Sequence, residues 1–143
     1  MRRTTLILVS LILILAWKWM MKHQQDAPNI ATFDLNYMQA SFALAEDDFD
    51  QARESLQRLA RGNTGELREK AQSAADAGDI AAMRELFKTL TEEVVVNMSI
   101  PYDYAIAYCP RFKNGSKWIQ KREDPIANPY LGKSVPPCGS FVD

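Results

Sequence analysis

The sequence predicts a mainly α-helical protein, a small antiparallel helical bundle with a C-terminal irregular or β-hairpin cap, preceded by a transmembrane helix. Three observations support this fold class. An apolar run lies near the N-terminus, and four helix-spaced apolar patterns follow it between residues 33 and 98. After residue 101 the chain is rich in prolines and aromatic residues, so regular structure cannot continue there for long. The predicted segments are a signal anchor at 1–23, a linker at 24–32 and a domain at 33–143, whose cap occupies about 101–143.

The N-terminal segment has the composition of a membrane anchor. Arg2 and Arg3 precede an apolar run from Leu6 to Trp17, and the stretch 4–21 would form a helix about 27 Å long at ~1.5 Å per residue. That length is just enough to span a bilayer. Residues 4–21 are therefore expected to contact membrane lipid. The alternative is a signal peptide that is cleaved after export, and both interpretations export the residues that follow.

Two predicted helices follow the linker. The first has an apolar stripe at i, i+3, i+7 and i+10, which we expect to face the core: Leu35, Met38, Phe42 and Ala45. Asp48 and Gln51 fit a capping box at the start of the second helix, and Gly62 ends that helix. Its apolar stripe consists of Phe49, Ala52, Leu56 and Leu59.

The third and fourth predicted helices differ strongly in apolar content. The third, at about 64–77, has mostly alanine on its apolar face and should be the weakest, because small side chains bury little area. Gly78 can take the left-handed position after it, and Asp79 can cap the fourth helix. The fourth helix is the strongest amphipath, with Ile80, Met83, Leu86, Phe87, Leu90, Val94 and Met98.

The cap combines a strand pattern with turns. Large and small residues alternate from Tyr102 to Cys109, which is typical of a strand, and Asn114-Gly115 is a strong hairpin signal. Prolines interrupt any regular structure after Gln120, so this part should wrap the bundle as ordered coil. The expected aromatic anchors are Trp118, Tyr130 and Phe141.

Charge and residue content exclude several classes of function. Residues 24–100 carry 14 acidic against 7 basic side chains, so nucleic-acid binding is not expected. The chain has one histidine, His23, and two cysteines, Cys109 and Cys138. Most zinc sites and most Cys–His or Ser–His catalytic sets need more such residues, and no Cys-x-x-Cys motif is present. No enzymatic function is predicted. Two cysteines in an exported chain usually form a disulfide, which is one interpretation of this pair.

The order of motifs in the cap resembles a bacterial periplasmic domain family associated with copper and silver efflux, found alone or fused to membrane-fusion adaptor proteins. The resemblance covers residues 33–142. Its upstream part includes Tyr37, the turn 46–49 and the helix from Asp79. The cap positions that carry it, besides the two cysteines, are Pro110, Gly115, Trp118, Asn128, Pro129, Tyr130, Gly132 and Gly139. It implies an inner-membrane location with the domain in the periplasm, and an efflux or other envelope protein as partner.

The resemblance also implies a soft-metal site. Cu(I) and Ag(I) prefer thiolate and thioether sulfur, so Cys109 and Cys138 become candidate ligands, with Met98 a more distant one. Arg111 and Val135 stand where the family commonly has methionines. Two functions are therefore expected from the sequence. One is an accessory protein of copper or silver handling, and the other is a tethered interaction module with a Cys109–Cys138 disulfide and no metal.

Overall fold

The computed structural model describes Lys18 and residues 30–142. The predicted signal anchor and residues 24–29 of the predicted linker lie outside this range, apart from Lys18. Within the described part of the chain, no helix combines the length and the apolar character that crossing a membrane requires.

Four helices make up about the first two thirds of the described range. They are α1 (Ile30–Ala45), α2 (Phe49–Arg61), α3 (Gly65–Ala75) and α4 (Ile80–Asn97). Helices that follow one another in sequence pack against each other, as short connections favour. The helical bundle was correctly predicted. α1 begins at Ile30, within the stretch predicted as linker, and residues 30–32 include no helix-breaking residue.

Side-chain caps fix two of the helix starts where the sequence predicts them. The carboxylate of Asp48 accepts a hydrogen bond of 3.0 Å from the amide of Gln51, and Asp79 accepts one of 2.8 Å from Ala82. The prediction for Gly78 was wrong, because its φ is not in the left-handed region. A left-handed residue is found at a different turn, between α1 and α2, where Asp47 has a φ of 62°.

Only part of the apolar stripe predicted for α1 faces the helical core, because Ala45 is buried and Met38 packs against core residues. Leu35 and Phe42 are each 59% exposed, whereas Tyr37, Ala40 and Leu44 are buried. α1 has apolar residues on two faces, and the bundle covers the face that carries Tyr37. The other face remains on the surface of the domain.

The core is built around α4 and α2. The buried residues of α4 are Met83, Phe87, Leu90, Thr91 and Val94, and α2 contributes Ala52, Ser55, Leu56, Leu59 and Ala60. The Tyr37 ring stacks on Phe87 at 5.2 Å, and its hydroxyl lies 2.8 Å from Thr91 Oγ1. Burial raises the pKa of the Tyr37 phenol far above its ordinary value. As predicted, α3 buries only alanines: Ala71, Ala74 and Ala75.

A three-stranded antiparallel sheet completes the domain. Its strands are β1 (Tyr104–Cys109), β2 (Ser116–Lys121) and β3 (Ser140–Val142), in the order β2-β1-β3. The predicted hairpin is formed by β1 and β2, and Asn114 and Gly115 in its loop have φ values of 63° and 104°. β3 was not predicted from the sequence, because it has only three residues. Phe141 in β3 remains 36% exposed, so it is not the buried anchor that was predicted.

Candidate functional site

A disulfide closes the cap. Cys109 at the end of β1 and Cys138 just before β3 are bonded with an S–S distance of 2.00 Å and a Cα–Cα distance of 5.5 Å. Cys109 is completely buried, whereas Cys138 is partly exposed. The hairpin loop, β2 and the whole proline-rich coil lie between the two cysteines in sequence. The bond therefore turns residues 109–138 into a covalently closed ring.

Hydrogen bonds hold the coil of the ring in shape. The Asn128 side chain donates to the Cys138 carbonyl at 2.8 Å and accepts from the Tyr130 amide at 2.9 Å. The hydroxyl of Tyr130 donates to the carbonyl of Lys117 at 2.5 Å. Burial raises the pKa of Tyr130 well above its ordinary value, so this hydroxyl stays protonated. Asn128 thus ties the coil to the disulfide, and Tyr130 ties it to β2.

Trp118 and Gln120 form the inner support of the same coil. The indole of Trp118 is fully buried and donates a hydrogen bond of 2.8 Å to Gln120 Oε1. The Gln120 amide nitrogen donates to the carbonyls of Asp124 and Pro125 at 3.3 and 3.1 Å. A Cβ at Gly139, whose φ is 142°, would overlap the Trp118 ring. Glycine at this position therefore lets the chain pass close over the indole.

Arg84 of α4 connects the cap to the helices. Its Nε donates to the Pro129 carbonyl at 2.9 Å, and its Nη2 donates at 2.6 Å both to the Leu44 carbonyl and to Asp47 Oδ1. Asp47 Oδ2 in turn accepts from the amide of Lys133 at 3.2 Å. The hydrogen bond from Arg84 is the main reason why the pKa of Asp47 is below its ordinary value. We call Arg84 and Asp47 the clasp.

An open groove of about 520 Å³ lies between α1 and the cap. Its α1 wall includes three members of the predicted apolar stripe, Met38, Phe42 and Ala45, of which Phe42 is the one that is strongly exposed. The cap wall is formed by Gln120 and by residues 124–128, 131–133 and 135–137. The volume and the mostly apolar lining are typical of sites that bind ligands or partner side chains. The groove is the candidate functional site.

The predicted site residues divide between the disulfide and the scaffold of the groove. Trp118, Asn128, Pro129, Tyr130 and Gly132 are all buried in the cap. Pro110 is exposed in the hairpin loop, and Gly115 lies against the Tyr108 ring. Met98 caps the C-terminal end of α4 and packs on the core. Among the described residues, no three His, Cys, Asp or Glu side chains lie close enough together to hold a metal ion.

The clasp and the groove were missed at the level of sequence. Asp47 sits in an acidic run that looks like a solvated turn, and Arg84 looks like an ordinary surface base on an amphipathic helix. The signal that the sequence does contain is the position of Arg84 among the apolar residues of the fourth helix, where a charged side chain needs a polar partner. The apolar stripe of α1 was recognised, but it was assigned to the core.

No family model, curated protein or solved structure matches the chain.

Proposed function

We propose that this chain is a membrane-tethered, extracytoplasmic interaction module that binds a partner protein in the groove between α1 and the cap. The observation that supports this function best is the exposed apolar surface of α1. Leu35 and Phe42 are large apolar residues that each remain 59% exposed, and Phe42 lines the groove of about 520 Å³. Contiguous exposed apolar surface of this kind is typical of protein interaction sites.

The polar groups of the groove favour binding over chemistry. Gln120 and Asn128 line the groove, and both side chains are engaged in hydrogen bonds that hold the cap together. The described part of the groove wall contains no histidine or cysteine. The groove thus offers shape and apolar contact, which are the properties of a recognition surface.

The disulfide supports the same proposal. Disulfides persist in oxidising compartments, so the Cys109–Cys138 bond is consistent with a domain outside the cytoplasm. The cap wall of the groove lies entirely within the closed ring. A covalent closure that limits the movement of this wall reduces the entropy lost on binding.

Site-specific crosslinking in the native envelope tests the proposed function. A photoreactive amino acid is placed at Phe42 in the full-length chain, and the same residue is placed at Val96, which is 80% exposed and lies outside the groove. We expect a discrete crosslinked protein from position 42 that is absent from position 96 and survives metal chelation. Equal or absent crosslinking at the two positions would argue against a partner in the groove.

A second candidate function is the handling of copper or silver, with Cys109 and Cys138 as ligands in the reduced protein. It rests on the resemblance of the cap motifs to the copper- and silver-associated family. It is favoured by the position of the two cysteines, which are 29 residues apart in sequence and have Cα atoms 5.5 Å apart. A reduced pair at this spacing offers two soft sulfur ligands to Cu(I) or Ag(I). The oxidised pair binds no metal, so the two candidate functions belong to different redox states.

A further inference from the structure

The α1 wall of the groove has the geometry of a helix-packing ridge. Leu35, Met38, Phe42 and Ala45 follow one another at intervals of three and four, which places them along one face of the helix, and the last three of them line the groove. At ~1.5 Å per residue the ridge is about 15 Å long, or close to three helical turns. Ridges of this spacing pack into the grooves of a second helix. A helical partner would meet α1 in the same way as helices meet in a bundle.

The opposite wall provides apolar contacts but little that would orient a small polar ligand. It contains Ile126, Leu131, Val135 and Pro136, and its two buried amides already hold the cap together. Within the described residues, no buried side-chain nitrogen or oxygen lacks a hydrogen-bond partner. The groove is open rather than enclosed, which suits side chains entering from a neighbouring backbone.

The charges at the rim of the groove point to a cationic partner. Glu46 and Asp124 are both exposed, and neither forms an ion pair with any described residue. Glu46 also lies next to the C-terminal end of α1, where the helix dipole adds negative potential. Among the described residues, Lys133 is the one base at the rim, and it lies close enough to Asp47 to lower the pKa of its carboxyl. The negative charges at the rim are therefore the uncompensated ones.

We propose that the occupant of the groove is an amphipathic helix of a partner protein. This helix carries large apolar side chains at i, i+3 or i+4, and i+7, and at least one Lys or Arg that meets Glu46 or Asp124. The proposal rests on the proposed function and adds the chemistry of the partner. A second copy of this chain fits less well, because it would bring its own Glu46 and Asp124 to the same rim. Like charges brought together in this way oppose association.

Selection from a random peptide library tests this proposal. Peptides of about three to four turns, in keeping with known helix-in-groove anchors, are displayed on phage and selected on the oxidised full-length chain in nanodiscs. The same library is selected in parallel on the Phe42→Asp variant. We expect wild type alone to enrich peptides with apolar residues at helical spacing and with Lys or Arg in their flanks. Circular dichroism of the free and bound peptides then shows whether helix forms on binding.

Affinities of the enriched peptides localise the binding. Phe42→Asp should weaken binding about tenfold or more, as loss of a central apolar contact does, and Val96→Asp should leave it unchanged. The pair Glu46→Gln and Asp124→Asn should weaken binding most at low salt. Enrichment of proline-rich or acidic peptides, or equal affinity for Phe42→Asp, would overturn the proposal.

Two further measurements separate the alternative occupants. Sedimentation of the full-length chain would reveal a dimer that Phe42→Asp dissociates if the occupant is a second copy. In the second measurement, a fatty acid is added as a probe. If it binds in the groove and neither the enriched peptides nor the crosslinked protein displaces it, the groove is assigned to a small apolar molecule. Either result overturns the helix as occupant. A protein crosslinked from position 42 through a non-helical segment would also overturn the helix as occupant while leaving the proposed function intact. Absence of both the crosslink from position 42 and the peptide enrichment would overturn the proposed function as well.

Discussion

Arg84 and Asp47, which are 37 residues apart in sequence, form an ion pair of 2.6 Å in which each partner also holds the cap. Arg84 donates to the carbonyl of Pro129, and Asp47 accepts from the amide of Lys133. The two cap contacts flank Gly132, where an added Cβ would overlap both members of the pair. The clasp therefore sets the distance between the helices and the cap wall of the groove.

Replacement of Arg84 should loosen the attachment of the cap. Arg84→Met keeps most of the aliphatic contact but removes the donors to two carbonyls and to Asp47. We expect a loss of about 2–3 kcal/mol in the free energy of unfolding, the range for hydrogen bonds from charged groups. Urea unfolding of the oxidised protein measures it. Arg68→Met, at an exposed site on α3, is the control and should change little, so equal midpoints for the two variants would contradict the role of the clasp.

The clasp should make stability depend on pH in the acidic range. The folded pKa of Asp47 is lowered by Arg84, so its contribution is complete above the unfolded value of 3.8 and is lost as the pH falls through the lower folded pKa. Asp47→Asn cannot titrate at this position. We expect the free energy of unfolding of wild type to exceed that of the variant at pH 6, and the difference to shrink toward pH 2. A difference that stays constant over this range would show that Asp47 does not titrate differently in the two states.

Two glycines provide a matched test of the backbone near the groove. Gly132 has a φ of 72° and lies against the clasp, whereas Gly78 lies in open space outside the left-handed region. Gly132→Ala should destabilise the fold by at least about 1–2 kcal/mol, because alanine disfavours this conformation and its methyl group would displace the clasp. Gly78→Ala should be neutral or stabilising by about 0.4–1 kcal/mol. Thermal unfolding of the two variants compares them directly, and similar melting temperatures would refute the prediction.

Loss of the disulfide should loosen the cap more than the helices. In the loop-entropy model, closure across a separation of 29 residues contributes roughly 3–4 kcal/mol. The Cys109→Ser variant should therefore expose residues 110–137 to proteases and to hydrogen exchange. The α2 and α4 amides serve as the internal control and should remain protected. Unchanged proteolysis of residues 110–137 in the variant would show that the bond does not hold the cap.

Competition for Cu(I) tests the second candidate function. If copper handling is the function, the reduced full-length chain should withdraw Cu(I) from a chromophoric chelator, and the double variant Cys109→Ser, Cys138→Ser should not. The Met98→Leu variant tests the third ligand and should reduce the affinity only if that sulfur takes part. Equal competition by wild type and the double variant would exclude a thiolate site at these cysteines.

The sequence predicted the helical elements because their apolar spacing and caps are local features. Asp48 and Asp79 cap helices as expected, and the two cysteines are joined in one of the ways that were considered. The period of α1 was also recognised, yet periodicity alone cannot tell which of two apolar faces meets the core. In the structure the face that carries Tyr37 meets the core, where Tyr37 packs against Phe87. The clasp was not predictable, since Arg84 finds partners 37 to 45 residues away.

The closed ring has a consequence for how the protein is prepared. One wall of the groove belongs to α1, and the other wall lies within the segment closed by Cys109 and Cys138. Protein made in a reducing cytosol would lack the covalent closure of the second wall. A helical spectrum reports on the four helices and does not register whether this bond is present. Oxidation state, rather than helix content, is thus the measure of whether the second wall of the groove is covalently closed in a preparation of this protein.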